Sequence, residues 1–238
     1  MLQIYIKPFG YGIFLIVFLK SSFIFDNYAE VFTSNADSCY LTRKSFAAFS
    51  VICRADFMNT SLHSNTVWTI GHSTHTLEEF IAMLQAFQIE LVADVRSFPG
   101  SRRYPHFNKE ALQISLSKNN INYVHLADLG GRRKVNPNSI NTGWRHPAFR
   151  GYADYMETES FKTGINELQQ LANEQKTAYM CSEAVWWRCH RALVSDYLKL
   201  NGLKVTHIMG LAKSEEHRYT QPARIVHGKL TYQQESLF

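Results

Sequence analysis

"TAYMCSEAVWWRCHRALVSDYLKLNG", Thr177 to Gly202, changes its hydrophobic period part-way along. Its first residues, Thr177 to Glu183, form a short apolar run that turns polar at its end, which is how a buried strand reads. From Arg188 the apolar residues follow helical spacing, and Gly202 supplies a stop. "LKVTHIMG", Leu203 to Gly210, then reads as another strand. A strand, a helix and a further strand at these lengths predict a right-handed βαβ unit and hence a parallel sheet.

Upstream the alternation continues. "TVWTIGHS" (Thr66 to Ser73) is β-branched and apolar, then turns at Gly71. "TLEEFIAMLQAF" (Thr76 to Phe87) opens on Thr76 with Glu79 three residues later, a capping-box arrangement. "IELVADVRS" (Ile89 to Ser97) reads as a strand buried on both faces. "NKEALQISLSKN" predicts a helix capped by Asn108, and "INYVHLADLGG" (Ile121 to Gly131) a third strand leaving through a glycine pair. A polar loop, Arg132 to Arg150, precedes a long helical region, Tyr152 to Gln175, broken near Ser160. The expectation is an α/β fold: a single domain over residues 65–238, with a mostly parallel sheet of about five strands flanked by helices.

Residues 1–57 form an apolar N-terminal extension of a different character. "IFLIVFL" (Ile13 to Leu19) is too short to span a bilayer at about 20 residues. Stretched to residues 8–25 it gives a marginal span with Lys20 inside, and the cleavage signal of an export peptide is weak. Met58 is an alternative start. No stable membrane association is expected unless residues 8–25 act as an anchor, and a cytoplasmic location is expected.

At 238 residues, with 45% hydrophobic and 19% charged residues, the chain is a folded globular protein rather than a disordered one. Four cysteines, Cys39, Cys53, Cys181 and Cys189, show no regular framework, which points to a reducing compartment. Net charge is +5. Between Arg96 and Arg150 ten Lys and Arg stand against only Glu110 and Asp128, whereas residues 151–238 balance. A basic block suits an anionic small molecule or nucleic acid; a solvated basic face is the plainer reading.

In a parallel α/β sheet, ligands bind beyond the carboxyl ends of the strands. Each polar cluster here follows a strand, so they should meet on one rim. Cys181 ends a strand, and Cys189, His190 and Arg191 open the next helix, whose N-terminus lowers thiol pKa values. Either cysteine could then be a nucleophile, with His190 as base or Glu183 as acid. The structural alternative makes Cys181 a small buried hydrophobe and packs Cys189 with Leu193 and Tyr197, and it stands ahead for Cys189. Tyrosine-phosphatase and sulfurtransferase loops offer only a weak analogy, since six residues separate Cys181 from Arg188 where the phosphatase loop has five.

Asp94 and Arg96 end a buried strand, where unpaired charge is costly, so they should pair. Arg102 and Arg103, with Ser101 and Asn108, could grip phosphate oxygens, and Phe98, Tyr104 and Phe107 are interleaved as a stacking surface would be. His72, Arg132 and Arg191 complete the expected substrate-binding set, and Cys181, Glu183, Cys189, His190 and Asp94 the expected catalytic one. A metal at Cys181, Cys189 and His190, with His72, His75 or His106 as a further ligand, has no CxxC or HxxxH pair behind it, so no cofactor is expected.

Four stretches, "TIGHSTHTLEEF", "LVADVRSFPGSRRYPHFN", "YVHLADLGGRR" and "MCSEAVWWRCHRALVSDYL", in this order and spacing, resemble the domain-of-unknown-function 488 family of bacterial and archaeal proteins. The resemblance runs from about Thr66 to the strand near Ile208 and implies an α/β domain of mostly parallel strands. The family's Cys-x-Glu and Cys-His-Arg patterns fall on Cys181, Glu183, Cys189, His190 and Arg191, and its Asp-Val-Arg motif on Asp94, Val95 and Arg96. It implies no particular reaction. The residues leave three readings: an enzyme acting on a phosphate-bearing substrate such as a nucleotide or nucleic acid, a non-catalytic nucleotide or nucleic-acid binding module, and a cysteine-based redox or metal-responsive protein.

Overall fold

The computed structural model describes residues 2–9, 12–19 and 65–234. It divides into two units, Met1–Met58 and Asn59–Phe238. In the first, β1 (Leu2–Phe9) and β2 (Gly12–Leu19) pair antiparallel, Leu2 opposite Leu19 and Phe9 opposite Gly12. The rest of that extension, including Met58 and the stretch that would hold an export cleavage site, lies outside the described residues. Among the described residues no helix is long and apolar enough to cross a membrane.

The second unit is built on β3 (Thr66–Gly71), β4 (Leu91–Asp94), β5 (Asn122–His125), β6 (Thr177–Cys181), β7 (Lys204–Gly210) and β8 (Lys213–Glu216). They form one six-stranded sheet in the order β5-β4-β6-β3-β7-β8. All neighbours are parallel except β7 and β8. The expected mostly parallel sheet is therefore present, with one strand more than the patterning suggested. Strand β8 consists of "KSEE", exposed throughout, and carries no apolar alternation to mark it. Charged side chains of this kind protect a sheet edge from further pairing. A short hairpin, β9 (Arg224–Val226) with β10 (Lys229–Thr231), follows.

Five helices connect the strands: α1 (Leu77–Ala86), α2 (Lys109–Ser117), α3 (Pro147–Tyr155), α4 (Glu159–Glu174) and α5 (Arg191–Leu200). Both halves of the Thr76–Glu79 capping box are made. The long helical region breaks at residues 156–158, because Thr158 caps a new helix by accepting the Phe161 N–H.

Side chains alternate across a strand, so each strand feeds two cores. On β6, Ala178 and Met180 join Ile70, Phe80, Leu84, Val92, Leu112 and Leu116 beneath α1 and α2. Tyr179 and Cys181 point the other way, into a core with Ile165, Leu168, Leu193 and Val194 from α4 and α5. That alternation decides the site: it puts Cys181 on the same face of the sheet as the start of α5. Gly71 makes the approach feasible, since a methyl group there would collide with the Glu183 carbonyl just beyond β6.

Candidate active site

Past their carboxyl ends, β3, β4 and β6 open into a cavity of about 990 Å³, together with the loop after β5 and the β6–α5 junction. Its lining contains His72, Arg96, Ser101, Arg103, Arg132, Cys181, Glu183, Cys189 and His190. The arginines and the sulfurs thus share one mouth.

Cys189 does not lie inside the helix, as the spacing suggested. Residues Trp186–Arg188 make a single 3₁₀ turn, His190 is the N-cap, and α5 begins at Arg191. The turn folds Cys189 back over the end of β6. His190 Nδ1 then lies 3.5 Å from Cys189 Sγ and 3.9 Å from Cys181 Sγ. On its far side His190 Nε2 is 3.1 Å from the Val95 carbonyl, which only accepts, so Nε2 donates there and Nδ1 is the ring nitrogen that faces both sulfurs. Tyr152 packs against the ring at 5.1 Å between centroids. Gly131 meets the ring on its Nδ1 side so closely that any β-carbon would collide with Nδ1. This second glycine of the pair is therefore needed for clearance around the imidazole, while Gly130 gives clearance to Ser97.

Both cysteines are free thiols and both are buried. Cys181 is pushed up to about 12 by its hydrogen bond with Cys189 and by burial. Burial also raises Cys189, but the hydrogen bond from Cys181 and the charge and backbone N–H of Arg191 outweigh it and bring this thiol down to about 6. The two thiols titrate as one coupled pair, with Cys181 the harder of the two to ionise.

Arg96 sits beside them. Its Nε donates to both oxygens of Asp94 at 2.9 and 3.1 Å, its Nη2 to Oδ2 at 2.5 Å, and its backbone N–H to Oδ1 at 3.0 Å. Tyr123 donates a further hydrogen bond to Asp94 Oδ2 at 2.8 Å. Burial disfavours the Arg96 charge, but these bonds and the Asp94 carboxylate outweigh it and keep the guanidinium charged. Nη1 is left over, 3.5 Å from His72 Nε2. Burial first, then the Arg96 charge, lower His72 to about 4, so at neutral pH it is an uncharged acceptor, stacked on Phe107 at 4.2 Å.

The fate of the remaining residues corrects several expectations. Asp94 is fully buried, lies outside the cavity lining and has both oxygens occupied; it orients Arg96 and has no free position for proton transfer. Arg191 is also buried and does not line the cavity. Its Nη2 donates to the Glu183 carbonyl at 2.6 Å and its Nη1 to Thr69 Oγ1 at 3.1 Å, so it fastens the β6–α5 loop to β3 rather than meeting a ligand. Asn108 does not cap α2 through its side chain; its Oδ1 accepts the Ser101 N–H at 2.5 Å and shapes the loop that carries Arg103. Arg102 is exposed and lies outside the lining, where Arg103 takes its place. His75 and His106 stand apart from the two sulfurs and His190.

The cavity also contains groups outside the expected catalytic and substrate-binding sets. Arg188 and Trp187 come from the 3₁₀ turn, and His146 and Phe149 from the start of α3. The first two lie inside the quoted Cys–His stretch and could have been inferred from it. The latter two come from a region that reads as polar loop, with no local signal linking it to the sulfurs. Arg132 lies over the exposed Phe98 ring at 5.7 Å, and Arg103 over Tyr104 at 5.4 Å, so the basic groups of this rim stand on aromatic faces.

The family model of the domain of unknown function DUF488 matches residues 76–198, more than half of the chain. The chain belongs to the DUF488 family. The DUF488 match takes in Asp94, Arg96, Cys181, Glu183, Cys189 and His190, and leaves out β3 with His72, which forms one wall of the cavity. No curated protein and no solved structure matches the chain.

Proposed function

We propose that this DUF488 protein is an enzyme acting on a phosphate-bearing substrate, a nucleotide or nucleic acid, in the cavity at the carboxyl edge of its sheet. The observation that carries the reading is that one cavity holds both a cluster of sulfur and imidazole groups and a ring of arginines. The Nη1 of Arg96, held at the cavity with His72 Nε2 at 3.5 Å, together with Arg103 and Arg132, suits phosphate oxygens, because guanidinium forks match their geometry. Bond cleavage is assigned to the Cys181–Cys189–His190 centre. The carboxylate of Glu183 lines the same cavity with no hydrogen-bond partner among the described residues, and is the group for proton transfer. Phe98, 72% exposed, and Trp187, 48% exposed, offer ring faces on which a base could stack.

The test is binding and turnover on a panel of nucleoside monophosphates, short oligonucleotides and inorganic phosphate. Arg103 and Arg132 are exposed, so Arg103→Ala/Arg132→Ala should leave the fold intact. It should weaken phosphate-ester binding by about 10- to 100-fold, the loss of charge-assisted hydrogen bonds. Glu183→Gln should bind normally and turn over at least about 100-fold more slowly. Turnover that is unchanged in Glu183→Gln would sink the acid–base assignment. Salt-sensitive binding with no reaction on any ester would instead favour the binding-module reading.

A further inference from the structure

We propose that Cys181, Cys189 and His190 bind one divalent transition-metal ion, with zinc the best match, leaving a fourth coordination position open to the cavity. The use of that open position rests on the function proposed above; the binding of the ion does not.

The argument starts from distances. A tetrahedral zinc ion takes sulfur at about 2.3 Å and nitrogen at about 2.0–2.1 Å, which puts each sulfur about 3.6 Å from the nitrogen and the sulfurs about 3.8 Å apart. Here Nδ1 lies 3.5 and 3.9 Å from the two sulfurs. The three ligand atoms all fall within 4.8 Å of one another, so the sulfurs need close by no more than about 1 Å.

The surroundings of His190 agree. A metal-bound imidazole uses one nitrogen on the ion and donates its other N–H to a carbonyl or carboxylate, which settles tautomer and ring orientation together. His190 has this arrangement, with Nε2 on the Val95 carbonyl and the ring confined between Tyr152 and Gly131. A histidine that merely filled space in the core would not need its remaining ring nitrogen aimed at two sulfurs.

The donor set suits zinc: two thiolates and an imidazole are borderline to soft, and three protein ligands with one open position is the arrangement of catalytic rather than structural sites. Among the described residues no fourth protein ligand joins the three. All three line the cavity, so the open position faces the arginine ring. The ion binds both sulfurs as thiolates, any thiol proton being released to solvent, and the centre formed from the ion and two thiolates is neutral. Neutrality matters beside Arg96 and Arg191, whose charges would oppose an ion left uncompensated.

The full-length chain, stripped with a chelator under reducing conditions, should be titrated with Co²⁺. One equivalent is expected, with a thiolate-to-cobalt charge-transfer band and the visible bands of a tetrahedral ion. Zn²⁺ should displace it. Cys181→Ser and Cys189→Ser should each abolish the charge-transfer intensity per sulfur and weaken uptake beyond the 10–100-fold of an outer-shell change.

Because a buried Cys→Ser change can unfold the domain, the wild-type protein loaded with Zn²⁺ is measured separately by X-ray absorption. Two sulfurs at about 2.3 Å and one nitrogen near 2.0 Å support the proposal, and a shell of oxygen and nitrogen alone overturns it. No saturable Co²⁺ signal from the wild type overturns it as well. Phosphate binding is scored on Arg103→Ala/Arg132→Ala, which should retain Co²⁺ uptake. Uptake intact with no phosphate binding by the wild type supports the ion and fails the substrate reading; the reverse fails the ion alone.

Discussion

Two buried carboxylates organise this protein, and they are used in opposite ways. Asp94, at the end of β4, gathers the side chain and backbone of Arg96 and the hydroxyl of Tyr123, and this leaves Arg96 Nη1 at the cavity beside His72. Asp196, in α5, gathers His217 at 2.9 Å, the backbone and hydroxyl of Thr220 at 2.9 and 2.5 Å, and Tyr232 at 3.0 Å. His217 Nδ1 in turn lies 2.9 Å from His207 Nε2, and Trp186 stacks on His207 at 4.3 Å. Both networks satisfy a fully buried charge. Only the first leaves a charged donor at the cavity. The second ties α5, β7 and the C-terminal segment together, and its His217 and Trp186 line a separate cavity of about 500 Å³ that, among the described residues, carries no arginine fixed by the buried carboxylate. A buried charge therefore points to the candidate site here because its network ends on a charged donor there.

The comparison is broken or sharpened most strongly by removing each anchor. Asp196→Ala should cost about 3–5 kcal/mol in urea denaturation, because His217, Thr220 and Tyr232 lose their common acceptor. Phosphate binding by the fraction still folded should be unchanged. Asp94→Ala should cost a similar amount and also abolish phosphate binding. Equal loss of binding in both variants would show that the two networks are not separate.

The histidines respond next. His72 is lowered from 6.5 to about 4, by burial first and by Arg96 second. Between those values the unfolded imidazole takes up a proton that the folded one refuses, so stability is full above pH 6.5 and falls as pH drops toward 4. The loss amounts to about 3 kcal/mol over that window. His207, lowered to about 2 by burial and then by His217, adds a decline that starts in the same window and runs on to more acid pH. Urea midpoints measured from pH 7 to pH 4 should show the combined slope, and His72→Gln should remove about half of it; an unchanged slope would mean that His72 titrates normally.

A smaller effect is expected from Arg96→Lys, which keeps the charge but loses the fork on Asp94. Stability should fall by on the order of 2 kcal/mol, with phosphate binding weakened about tenfold. The smallest is Thr76→Ala, which removes a helix cap far from both carboxylates and should cost about 1 kcal/mol with no change in phosphate or Co²⁺ binding. It provides the baseline against which loss of function through plain destabilisation is recognised.

Much of the fold was legible along the chain because its causes are local. The capping box at Thr76, the apolar run before Asp94 and the change of period across Thr177 to Gly202 each involve neighbours within a few residues. Strand β8 was not legible: four exposed charged or polar residues carry no apolar alternation, and only the unpaired edge of β7 holds them extended. The site divides in the same way. Its residue types and its place beyond the strand ends could be read, but the separate fates of neighbouring arginines could not. Arg102 and Arg103 differ only in the direction the backbone gives them, and Arg191, next to His190, turns inward to the Glu183 carbonyl while His190 faces the sulfurs.

By itself the sequence determined the βαβ order, the membership of the DUF488 family and the rim on which its polar groups gather, since periodicity, caps and motifs are properties of adjacent residues. Tertiary structure alone decided which of those groups meet. The approach of Cys181, Cys189 and His190 Nδ1 to within 4.8 Å depends on the alternation of β6, a 3₁₀ turn and a glycine on a different loop. Contacts between separate segments are set by packing in three dimensions, which spacing along the chain does not encode.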